Sequence, residues 1–123
     1  MALTLDNTSI ASGQTVNLTA WTITMPAGTE PVLSTAARNA AADAVAALID
    51  QGAGAGKVKI YTTAFGTLLA TFTMSDPAFG AAAAGVATAA SLPKSTTGAA
   101  NGTAAVYEVT DSDDTQLWTG TVS

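Results

Sequence analysis

Gln51-Gly52-Ala53-Gly54-Ala55-Gly56-Lys57-Val58-Lys59-Ile60-Tyr61-Thr62 is the stretch on which the reading of this chain turns, because two kinds of backbone meet in it. Its glycines end whatever precedes them, and from Lys57 onward apolar residues fall on every second position. Val58 and Ile60 share one face, with Lys57, Lys59 and Tyr61 on the other, the alternation of a half-buried strand.

Upstream of the glycines, Thr35 to Gln51 reads as the only helix. Ser34 or Thr35 is its N-cap and Gly52 its C-terminal stop. Ala37, Ala41, Ala44, Val45, Leu48 and Ile49 recur at helical spacing as the apolar stripe, with Arg38, Asn39, Asp43 and Asp50 elsewhere. Downstream, a short loop at Ala64-Phe65-Gly66 leads into Thr67 to Met74, where Leu68, Ala70, Phe72 and Met74 share a face, so the two strands form a hairpin. Ser75-Asp76-Pro77 closes it. Ala81 to Ser91 mixes helix-favouring alanine with Gly85, Val86 and Thr88 and is read as a strand. Lys94 to Gly102 reads as a loop of small residues. Strands from Thr103 to Thr110 and from Thr115 to Val122 then flank Asp111-Ser112-Asp113-Asp114, the clearest hairpin of the chain.

Residues 1–33 are threonine-rich and strand-like, with runs at Ala2 to Leu5, Thr15 to Thr19 and Trp21 to Met25. Alternation holds on Val16, Leu18 and Ala20, then changes parity at Trp21, Ile23 and Met25. That change implies a β-bulge or break near Ala20, or a strand covered on both faces. Pro26, Gly28 and Pro31 mark a linker. The expected fold class is α+β, mainly β: an antiparallel sheet or sandwich with a single helix packed on it. A strand-like N-terminal arm, 1–33, precedes a β-rich domain, 34–123. No solenoid period or heptad seam is present.

Composition narrows the chemistry. Alanine, threonine and glycine make up 28, 21 and 11 of the 123 residues, and histidine and cysteine are absent. Leu, Ile, Val and Phe together number only 24, so the core is thin. A net charge of −5 with four scattered cations, Arg38, Lys57, Lys59 and Lys94, argues against a surface that tracks nucleic-acid phosphates. The first ten residues lack the pattern of a secretory signal, and no run resembles a membrane span, so a soluble chain made in the cytoplasm is expected.

Each possible reactive constellation has a plainer account. Gly52 to Lys57 resembles a phosphate loop, but Gln51 stands where the first glycine should be and Val58 follows the lysine. The order is also helix, loop, strand, whereas phosphate loops open a helix. Asp111, Asp113 and Asp114 lack the spacing of a calcium loop and suit a hairpin tip. A serine nucleophile would have no histidine base. Trp21, Trp118, Tyr61 and Tyr107 suit packing, interface anchoring or sugar stacking. No catalytic residue, metal site or cofactor is expected.

From the helix onward the chain resembles small virion structural proteins of tailed bacteriophages. The resemblance rests on Ala40 to Asp50 followed by Gln51 to Tyr61, on Gly66-Thr67-Leu68-Leu69-Ala70, on Ser75-Asp76-Pro77-Ala78-Phe79-Gly80 and on the acidic ending at Val109 to Asp113. It covers residues 36–123 and leaves the N-terminal arm outside. It implies a non-enzymatic particle component located in the virion, with the major capsid protein or copies of itself as partners and no nucleic-acid or membrane partner. Within that class a capsid decoration or cement protein bridging capsid subunits is the expectation. A tail, neck or head-fibre subunit is the alternative, and a carbohydrate-binding adhesin domain using Trp21, Trp118 or a tyrosine is the reading from another class. The arm, through Val16, Leu18, Trp21, Ile23 and Met25, is the expected interaction segment, adding a strand to a neighbour's sheet.

Overall fold

The computed structural model describes residues 3–122. In chain order its elements are β1 (Leu3–Leu5), β2 (Ser9–Ile10), β3 (Thr15–Thr24), α1 (Thr35–Ile49), β4 (Lys57–Tyr61), β5 (Leu68–Thr73), β6 (Val86–Thr88), β7 (Lys94–Thr97), β8 (Gly102–Thr103), β9 (Val106–Thr110) and β10 (Gln116–Thr121). The fold is mainly β, with antiparallel sheets and one helix among the described residues, as the alternation and the single alanine-rich stripe imply.

The first sheet is built around β3. β1 runs antiparallel to it, with Thr4 opposite Ala20 but Leu5 opposite Leu18, so Thr19 is an inserted residue. This is the bulge signalled by the parity change, and the Thr19 hydroxyl donates to the Thr4 carbonyl at 3.1 Å. One extra residue exchanges the two faces of a strand. Val16 and Leu18 before it and Trp21 and Ile23 after it are consequently all fully buried. On the opposite edge β7 pairs with residues 15–18 and β6 with residues 22–24. The two are one antiparallel line interrupted at residues 89–93, facing the bulge.

Two expectations change here. Ala81 to Ser91 is a strand only at Val86–Thr88, helped by isolated bridges from Phe79 to Ala89 and from Ala83 to Val86. Lys94 to Gly102 is not simply a loop: Lys94–Thr97 is β7, and Gly102 begins β8, which pairs with β2. Lys-Ser-Thr-Thr has no apolar alternation, so its strand character comes from the β3 edge that it completes.

The second sheet has the order β10-β9-β4-β5, all antiparallel. Both expected hairpins, β4 with β5 and β9 with β10, are present, and β4 pairs with β9 to join them. Val58, Ile60, Phe72, Tyr107 and Val109 face inward. Leu68 does not share the inner face with Ala70, Phe72 and Met74. The register slips between Ile60 and Tyr61, which turns Leu69 fully inward and leaves Leu68 exposed.

The helix is capped by Ser34, whose hydroxyl oxygen accepts from the Ala37 N–H at 3.1 Å. Its buried residues are Ala42, Ala46 and Ile49, with Val45 partly covered. The expected stripe is therefore rotated, since Ala37, Ala44 and Leu48 are exposed. The polar residues explain the rotation. Asn39 Oδ1 accepts from the Gly85 N–H at 2.8 Å, Asp43 Oδ1 from the Ala82 N–H at 2.7 Å, and Asp50 Oδ1 from the Ala78 N–H at 2.8 Å. Spaced by four and seven residues, these three side chains lie along one line of the helix. They supply acceptors to a segment with little regular pairing of its own, and each backbone donor buried without one would cost about 1–3 kcal/mol.

Trp21 of β3 packs edge-on against Phe79, with ring centroids 4.7 Å apart, and lies 6.1 Å from Trp118 of β10. Leu3, Leu5, Ile10, Val16, Leu18, Trp21 and Ile23 belong to the same core cluster as Val58, Phe72 and Tyr107. The expected division at residue 33 is thus corrected. Residues 3–24 are an integral layer of the fold, since this thin core depends on their large side chains. Fully burying each such side chain contributes about 1.5–3 kcal/mol.

Candidate assembly surface

The residues expected to form the interaction segment lie mostly inside. Val16, Leu18, Trp21 and Ile23 have no exposed surface, and Met25 is half-buried. They cannot act as an exposed docking strand while the fold is intact, and β3 already has neighbours on both edges. Trp21 and Tyr107 are core residues, which removes both as sugar platforms, while Trp118 is half-buried against Trp21.

The loop from the helix to β4 connects elements and does not cradle an anion. Gly52 has φ +94°, and the Ser112 hydroxyl donates to the Gln51 carbonyl at 3.0 Å. Gly56 is buried between Ile49 and the Thr110 carbonyl, so a side chain there would collide with backbone.

At the tip of the last hairpin, Asp111 is buried and its Oδ1 accepts from the N–H groups of Asp113 and Thr115, at 2.9 and 3.0 Å. It shapes the turn. Asp114 has φ +64° and reaches back to β4, with its Oδ1 3.1 Å from both Lys57 Nζ and Lys59 Nζ. Lys57, followed by Lys59, holds the Asp114 carboxyl below its ordinary value. Tyr61, on the same face, has its phenol pKa pushed up by burial and by the Glu108 carboxylate. The lysines are tied to the turn and are not available as a cationic patch. No group of three or more acidic, histidine or cysteine residues able to hold a metal occurs among the described residues.

Two exposed patches are apolar. The outer face of α1 presents Ala36, Ala37, Ala40, Ala44, Ala47 and Leu48, all exposed and uncharged, with exposed Asp43 at its border. Val32, 69% exposed, and Leu33 lead into the same helix. The helix's charged and amide side chains are drawn to its other flanks by the bonds to residues 78–85, which leaves this arc neutral. A second, smaller patch lies at the β4–β5 loop. Ala64 and Phe65 both have positive φ, near +58° and +56°, and Phe65 is 43% exposed beside Leu68. Its ring meets Tyr61 edge-on at 5.4 Å.

These surfaces were not anticipated from the sequence. Alanine carries little burial signal, and Phe65 in a short loop reads only as a connector. No family model matches the chain, and no curated protein or solved structure matches it. No helix is long and apolar enough to cross a membrane.

Proposed function

We propose that the chain is a non-enzymatic structural component of a tailed-bacteriophage virion, acting as a capsid decoration or cement protein that binds and bridges major-capsid subunits. The observation that carries this reading is the neutral outer face of α1, continued by Val32 and Leu33. Contiguous apolar surface on a small chain marks contact with another macromolecule. The sequence blocks between Ala40 and Gly80 that resemble virion proteins contribute most of that helix, together with β4 and β5. The contact surface in this reading is the helix face, in place of an N-terminal strand.

Mass spectrometry of purified particles tests the role. A copy number comparable to that of the major capsid protein is expected. Absence from particles overturns the virion reading, and a copy number far below that of the capsid protein moves the chain to a tail, neck or head-fibre position.

A further inference from the structure

We infer that the free edge of β10 is a self-pairing surface, through which two copies of the chain join their second sheets antiparallel across a two-fold axis. β10 is an outermost strand of the β10-β9-β4-β5 sheet and pairs only with β9 among the described residues. In an antiparallel strand every second residue turns its N–H and C=O away from its neighbour, so such an edge offers unused donors and acceptors in a row.

The edges differ in how they are protected. On β5, the Leu69 carbonyl already accepts from the Ala99 N–H at 2.8 Å. β1 has only three residues and is followed by Asp6, which is bonded to Asn17. β10 has six residues, Gln116-Leu117-Trp118-Thr119-Gly120-Thr121, with no charge and no proline. Its one irregularity, between Gln116 and Trp118, leaves Trp118 to Thr121 in regular register. Lysine and proline are the usual means of keeping edges apart, and this strand lacks both.

Charge placement selects a second copy as the occupant. Identical strands bring identical side chains together, and in a chain of net charge −5 most surfaces would repel their own copy. β10 carries none of that charge. In an antiparallel pair whose two-fold axis passes through Thr119 or through Gly120, the acidic tips at Asp113 and Asp114 sit at opposite ends, and the two Thr119 side chains share a face within about 8 Å of each other.

The proposal stands on sheet topology and does not depend on the virion reading, so it is tested on the purified full chain. Sedimentation equilibrium across a concentration series should show a monomer–dimer equilibrium. Amide exchange at Trp118 to Thr121 should slow with rising concentration while β4 amides are unaffected. Thr119→Lys places a cation opposite Glu108, its cross-strand neighbour, which keeps the monomer folded. In the dimer the two lysines face each other, and the dissociation constant should rise about tenfold or more. The melting curve of T119K checks that the monomer fold is retained. A chain that stays monomeric, concentration-independent exchange in β10, or a folded T119K that dimerises as well as the parent overturns the proposal.

Discussion

Tyr107 lies across Gly120, its direct cross-strand partner. A β-carbon on Gly120 would stand 2.7 Å from Cε1, Cζ and Oη of that ring. Tyr107 is almost fully buried, and burial pushes its phenol pKa up. The glycine therefore supplies the floor on which a core aromatic rests, and the ring in turn covers a backbone that has no side chain of its own. Gly120→Ala should displace the ring and destabilise the protein by about 1–3 kcal/mol, the usual cost of overpacking. Urea unfolding followed by tryptophan fluorescence checks this.

The bond from the Ala78 N–H to Asp50 joins the end of α1 to a fully buried position. Asp50→Ala leaves that donor without its acceptor, at a cost of about 1–3 kcal/mol. Faster amide exchange should be confined to residues 78–85, with β4 and β9 protected as before. Asp50→Asn keeps an acceptor oxygen and should recover most of the loss.

Deleting Thr19 straightens β3. Trp21 and Ile23 or Val16 and Leu18 must then face the wrong side, because the side-chain period of a strand is two. Four fully buried residues cannot all be accommodated, so loss of the cooperative unfolding transition is expected in calorimetry. Thr19→Ala, which removes only the hydroxyl bond to Thr4, should cost about 1 kcal/mol and leave the fold intact.

Acid should weaken the fold through two exposed carboxylates. Bonds to Lys57 and Lys59 lower the Asp114 pKa, and bonds led by the Asn17 backbone N–H lower that of Asp6, both from 3.8. A carboxyl with a lower pKa folded than unfolded adds stability above its unfolded value and loses that contribution as pH falls through the folded one. The urea midpoint should therefore decline as pH drops below about 4. Asp114→Asn should reduce this dependence, and salt should reduce the Asp114 share by screening its lysine pairs.

The legible parts of the fold were those where large apolar residues alternate. Val58 and Ile60 identified β4, and the parity change at Trp21 located the bulge to within one residue of Thr19. Alanine was the obstacle elsewhere. With eight alanines between Thr35 and Ile49, several helix faces look equally apolar, and spacing alone places Asn39, Asp43 and Asp50 only off the apolar stripe. Those side chains instead face backbone donors, an arrangement that depends on a segment some 30–45 residues away. The candidate surface was missed for the same reason, because the faces exchange roles once the helix is turned. The N-terminal residues looked separable since proline and glycine follow them, but a pattern of turns does not report which core a strand completes.

The three acceptors on α1 also bear on the order of folding. They bind residues 28, 39 and 46 positions further along the chain, so none of the three bonds can form while the helix is isolated. Closing such loops costs entropy before any contact compensates for it. The alanine-rich segment at 78–85 should consequently settle only after the helix has docked. The lifetime of its ordered form then becomes a clock for helix attachment, readable one amide at a time.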